Sequence, residues 1–160
     1  MEFPPFPGAA IEAAREAVKA HLRIAGDGED ALIEGLAASA LALAERFTGS
    51  ALIARDFVET VESKGRWTAL TAAPVQSIDA GIDVVIDIDA QGMGWVRARG
   101  RVTVDYRAGA AAGWGELPPP IATGVVLLVA HLFDHREAGA APPAAVSALW
   151  RPWRRTRLAA

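Results

Sequence analysis

The hydrophobic period changes twice along this 160-residue chain, and that change constrains the fold more than any single motif. Ile11, Ala14, Val18 and Leu22 recur at helical spacing, with Glu12, Arg15, Glu16 and Lys19 on the other side. Leu32, Leu36, Ala40, Leu43 and Phe47 form a second such stripe, widened by Ile33 and Leu41. From Leu52 to Arg107 the period falls to two. Ile82, Val84, Ile86 and Ile88 alternate with Asp83, Val85, Asp87 and Asp89, and Val102, Val104 and Tyr106 alternate with Arg101, Thr103, Asp105 and Arg107. Helical spacing returns at Ile121, Val125, Leu128, Val129 and Leu132. The pattern predicts an α+β fold: a mostly helical domain, long helices at both ends of the chain, with a small antiparallel β-sheet inserted between them.

The punctuation agrees. Residues 1–8 (MEFPPFPG) predict an extended arm whose Phe3 and Phe6 dock on the body or on a neighbour. Gly26-Asp27-Gly28 ends the first helix. Asp27 caps a second, from about Asp30 to Thr48, and Gly49 stops it. Weaker strands are expected at 54–62, 66–70 and 75–78, with a turn at 91–94. Ala108–Gly115 reads as a flexible loop. Pro118-Pro119-Pro120 launches the next helix, residues 139–143 break the chain, and a short helix from about Ala144 to Trp150 follows. One domain over 1–149 and a tail over 150–160 account for the chain.

Composition excludes several function classes. With no cysteine there are no disulfides, thiolate zinc sites or cysteine nucleophiles. Sixteen basic against nineteen acidic residues make the whole chain no polycation. Glu2 and the early prolines stand where a signal peptide would be basic and then apolar. The longest uncharged apolar stretch, Ile121 to Phe133, is broken by His131 and falls short of the ~20 residues a bilayer helix needs. The expectation is a soluble cytoplasmic protein without a membrane segment.

The search for chemistry yields little. His131 and His135 are four apart on a helix, with Asp134 and Glu137 near, but Leu132 stands where the zincin pattern has glutamate. Gly109, Gly113 and Gly115 match no phosphate-loop spacing, and no serine-histidine-aspartate signature occurs. No catalytic residue, metal site or cofactor is expected. Asp83, Asp87 and Asp89 share one strand face, opposite segments carrying Arg97, Arg99, Arg101 and Arg107. Cross-strand charge pairing on a solvated face explains them, and a subunit interface is the other reading.

The C-terminus is more informative. Arg151, Arg154, Arg155 and Arg157 stand together with no acid among them, leaving twelve basic residues against nineteen acidic ones in the rest of the chain. Trp150 and Trp153 lie among them, and Trp with Arg is the composition of interface hot spots. The tail either packs its tryptophans on its own body, docks on another protein or subunit, or grips nucleic acid through phosphates and stacked bases. A small nucleic-acid-binding domain is the alternative function.

The order of features resembles the tailed-phage head-tail connector (adaptor) proteins. The residues that carry the resemblance are VKAHLRIAGDGEDALIEGLAASALALAERFTGSALI (18–53), LTAAPVQSIDAG (70–81), GRVTVDYRAG (100–109), PPPIATGVVLLVAHLFDHREA (118–138) and the closing WRPWR. Gene transfer agents, the domesticated phage-like particles, use the same part. The resemblance implies a non-enzymatic structural protein that forms a dodecameric ring between portal and tail stopper. It further implies docking on the portal protein through Trp150, Arg151, Trp153, Arg154 and Arg155, with DNA passing through the channel without specific binding. Asp83, Asp87 and Asp89 would then face the channel or a neighbouring subunit. It is compatible with a free subunit that is monomeric in the cytoplasm and joins the neck of the particle during assembly. The short, alanine-rich segment Ala108–Leu117 departs from the family pattern.

Overall fold

A computed structural model describes residues 3–135 and 141–155. Two helices open the chain, α1 (Gly8–Leu22) and α2 (Asp30–Thr48). Six strands follow: β1 (Arg55–Glu62), β2 (Thr68–Ala69), β3 (Val75–Asp79), β4 (Val85–Ile88), β5 (Gly94–Arg97) and β6 (Arg101–Ala108). A 3-10 turn at Trp114–Glu116 leads to α3 (Pro119–Asp134). α4 (Ala144–Trp150) and a 3-10 turn at Arg151–Trp153 close the described chain.

The strands make two three-stranded antiparallel sheets rather than one. The first has the order β1-β6-β3, the second β2-β5-β4. In the first, all eight residues of β1 pair with β6, from Arg55 opposite Ala108 to Glu62 opposite Arg101. The second is short throughout, and its longest pairing is β4 with β5. β5 was hidden from periodicity because Gly94-Trp95-Val96-Arg97 does not alternate.

Helix and sheet each carry an apolar core. Ala14, Val18, Ile33, Ala37, Leu41, Val125 and Val129 are fully buried between α1, α2 and α3. Phe57, Leu70, Val96 and Val104 fill the space beside the sheets, with Tyr106 stacked on Phe57 at 5.4 Å. The segment Ala108–Ala111 joins the two cores and is firmly bonded, contrary to the expected flexible loop. Gly109 N–H donates to Pro74, Ala110 to Ala51 and Ala111 to Leu52, while Ala54 donates back to Ala111. Gly109 has a φ of 150° and lies against the Ala54 backbone, so any Cβ there would overlap main chain.

The helix ends differ from the sequence reading in instructive ways. α1 stops at Leu22 because Arg23 takes the left-handed conformation (φ 58°), and Ile24 N–H returns to the Lys19 carbonyl at 3.0 Å. Asp27 does not cap α2 with its side chain. Its carbonyl accepts from Asp30 N–H, and Asp30 pairs with Lys19 of α1 at 2.6 Å instead. The face of α2 turned to the core is Ile33, Ala37, Ala40, Leu41, Ala44, Glu45 and Thr48. Of the expected stripe, Ala40 is buried with Ile33 and Leu41, Leu36 and Phe47 pack against the core, and Leu32 and Leu43 stand exposed. Ala37, Ala40 and Ala44 interleave with Ile33 and Leu41 on this face, so the neighbouring helices approach closely. No described helix is long and apolar enough to cross a membrane.

Candidate interaction surfaces

The C-terminal segment splits at its first residue. Trp150 is 3% exposed: its indole N–H donates to the Ile121 carbonyl at 3.2 Å, and its ring meets Phe47 at 5.9 Å. Gly124 on α3 makes room for it, since a Cβ there would collide with the indole. Trp150 therefore belongs to the core, and its ring is not offered to a partner. Arg151 and Arg154 are exposed, and Trp153 is 43% exposed. The Arg154 guanidinium lies 5.5 Å from the Phe47 ring centre. Arg155 turns back onto the body. Its N–H donates to the Thr48 carbonyl at 2.7 Å, and its side chain donates to the Gln91 carbonyl in the β4–β5 turn. Arg157 lies outside the described residues.

The three aspartates do not form one acidic face. β4 is only four residues long, so Asp83 falls in the turn before it and Asp89 in the turn after it. Asp87 alone is in the strand, opposite Trp95. Asp89 organises the turn: its carboxylate accepts from Gln91 N–H, Met93 N–H and Trp95 Nε1–H, each at 2.9 Å. The Trp95 bond first, then the Met93 N–H, holds its pKa below the usual carboxylate value, despite some desolvation. Asp83 and Asp87 are exposed. Of the arginines expected to face them, Arg107 pairs instead with Asp56 across β6 and β1 at 2.9 Å. Arg97 lies over Trp67 at 4.9 Å.

The histidines make no metal centre in this arrangement. Their rings stack at 4.4 Å, His135 Nδ1 lies 2.9 Å from the His131 carbonyl, and His131 Nε2 is enclosed without a hydrogen-bond partner. Among the described residues no group of three or more His, Asp or Glu side chains could hold a metal ion. Glu137 lies outside them.

One group of residues escaped sequence reasoning. Glu45 and Arg55 form a buried two-pronged ion pair, with oxygen–nitrogen distances of 2.8 and 2.9 Å. Leu52 N–H also donates to Glu45, and Arg55 donates to the carbonyls of Ile53 and Pro4. The Phe6 ring lies 4.4 Å from the guanidinium, and Phe3 packs edge-on against Phe57. The N-terminal arm is thus docked on its own body. Glu45 follows Leu41 by four on the buried face of α2, which is the signal that could have found it. A groove of about 970 Å³ runs between the arm, α2 and Arg155, but its central charges are already paired with each other.

The remaining surface feature is apolar. Ile82, Val85, Ile86 and Ile88 are between 39% and 105% exposed. The strongest strand pattern in the sequence thus builds an unshielded edge, because β4 pairs with β5 alone and overhangs the core.

The domain thus leaves apolar surface open at β4 and basic and aromatic surface open after α4. No protein-family model matches the chain, and no curated protein matches it. Solved structures do. A chain from the neck of an empty gene transfer agent (GTA) particle, with sixfold symmetry, is 27% identical at a TM-score of 0.78, over 99% of this chain and 98% of that one. A chain of the native GTA virion is 28% identical (TM-score 0.73; 99% and 96% covered), and one from the native neck with twelvefold symmetry is 27% identical (0.72; 99% and 98%). The likeness runs end to end, and it agrees with the sequence resemblance to the head-tail connector proteins.

Proposed function

We propose that this chain is a structural part of the neck of a gene-transfer-agent or phage-like particle, an adaptor that forms a ring between the portal and the tail stopper. The observation that carries the reading is the full-length match to GTA neck chains. A structural part of a neck points to a role without chemistry. Sixfold and twelvefold necks support a ring of copies.

Docking on the portal falls to the C-terminal segment. Arg151, Trp153 and Arg154 present exposed charge and aromatic surface to a partner. Trp150 anchors the segment from below, and Arg155 ties its far end back to Thr48 and Gln91. A truncation that removes Trp150 would damage the core as well as the tail, so substitution is the cleaner test. Deleting the gene should leave DNA-filled heads without tails, seen by electron microscopy. The triple variant R151E/W153A/R154E should give the same heads while the purified protein melts normally. Tailed particles from the deletion would overturn the neck role, and tailed particles from the triple variant would overturn the docking assignment.

A further inference from the structure

A ring contact is head-to-tail, so each copy must offer two different surfaces. Most of the exposed large apolar residues of this chain fall into two groups on separate elements. One is Leu32 and Leu43 on the outer face of α2, and the other is the run from Ile82 to Ile88 that contains β4. We propose that these are the two halves of one contact: β4 of one copy lies along the outer face of α2 of the next. The inference rests on the ring reading above and names the surfaces that close the ring.

The two halves fit in length. Leu32 to Leu43 spans about 16 Å along a helix, and Val85 to Ile88 about 10 Å along the strand, with Ile82 in the turn before it lengthening the apolar run. They fit in shape. Between Leu32 and Leu43 the outer face of α2 carries Gly35, Ser39 and Ala42, and open space stands over Gly35. That leaves a shallow channel for branched side chains such as Ile86. They fit in charge. Arg46 is exposed one turn beyond Leu43, and Asp83 and Asp87 are exposed beside the isoleucines. Opposite charges at the rim set register and orientation more than affinity.

Each half also has a reason to be covered. A free sheet edge with apolar side chains invites uncontrolled pairing. The sixfold and twelvefold necks of the similar chains supply the partner, a second copy of the same chain. The contact gives Asp83 and Asp87 to the subunit interface rather than to the DNA channel.

The chain has no cysteine, so introduced thiols are the sole crosslinking sites. Ile86→Cys is combined in turn with Leu32→Cys, Ser39→Cys and Leu43→Cys. Purified particles are treated with a short bifunctional maleimide and run on a denaturing gel. At least one double variant should give a ladder of dimers and higher multiples, while each single variant stays monomeric. Particles that contain the chain but yield only monomer in all three double variants would overturn the contact. So would dimers from Ile86→Cys alone, which require a symmetric pairing. Tailed particles lacking the chain would overturn the ring reading itself, and the contact with it. As a second check, Ile86→Lys should lower incorporation into particles at least tenfold with the melting temperature of the free protein unchanged. Normal incorporation would overturn the proposal.

Discussion

The two sheets are built from similar residues and held in opposite ways. In β1-β6-β3 every long strand is tied to something else. Arg55 at the start of β1 pairs with Glu45 of α2, and Glu59 accepts from the Tyr106 hydroxyl, Thr71 N–H and Thr71 Oγ1–H. The Tyr106 oxygen also accepts from Ala72 N–H. In β2-β5-β4 the strands are short and the apolar residues of β4 face outward. Its order comes from turns: Asp89 closes one, and Ser63 holds the approach to β2 by accepting from Ala98 N–H at 3.0 Å. Buried polar networks specify one sheet, while local turn chemistry and an unfilled apolar edge characterise the other. The first sheet is tied into the fold, and the second leaves an apolar edge open.

The largest expected effect breaks the first sheet. Arg55→Ala removes one partner of a buried ion pair and leaves Glu45 enclosed without its cation, which costs about 3–5 kcal/mol. It also frees the N-terminal arm at Pro4 and Phe6. The melting temperature should fall on the order of 10 °C by calorimetry. An unchanged melting temperature would mean that the pair offers the fold nothing beyond what an apolar contact would.

Tyr106→Phe is the sharper probe. It keeps the ring stacked on Phe57 and removes the hydroxyl shared by Glu59 and Ala72. A loss of about 1–2 kcal/mol is expected from denaturant unfolding. A neutral result would assign the stability of this sheet to apolar packing alone.

The smallest effect belongs to the second sheet and is read through pH. Asp89 has its pKa depressed in the fold below the 3.8 of an unperturbed aspartate. Its contribution is therefore complete above that value and lost as pH falls through the folded value. Asp89→Asn should lower the plateau slightly above about pH 4 and flatten the acid limb below it, so that the two stability profiles converge in acid. If the acid limb is unaltered, the turn is held by its backbone bonds and not by the carboxylate.

Much of the architecture was legible because helix and strand differ in period. α3 begins at Pro119, and α4 follows Pro143 and runs from Ala144 to Trp150 as expected. What the sequence could not display was which of two apolar faces wins. On α2 the buried face is rotated from the expected stripe: Ile33, Ala40 and Leu41 keep their place, Ala37 and Ala44 join them, and Leu32 and Leu43 are left outside. On β4 the cleanest alternation in the chain marks an exposed edge, since alternation reports two unlike faces and not which one has a core beside it. The tail shows the same limit. Trp150 and Trp153 are alike in sequence, but a gap over Gly124 receives one and nothing receives the other. Long-range polar ties such as Glu45 with Arg55 leave only a faint trace, a carboxylate on an apolar helix face.

Arg155 gives the tail a mechanical property. Its backbone is bonded to Thr48 at the end of α2, and its side chain to Gln91 in the turn that follows β4. Tension applied at the C-terminus thus enters the body at two points and pulls on the helix and the strand together. A load on Arg155 is thereby shared between two elements that carry exposed apolar residues, as a load on a bracket is shared by both its screws.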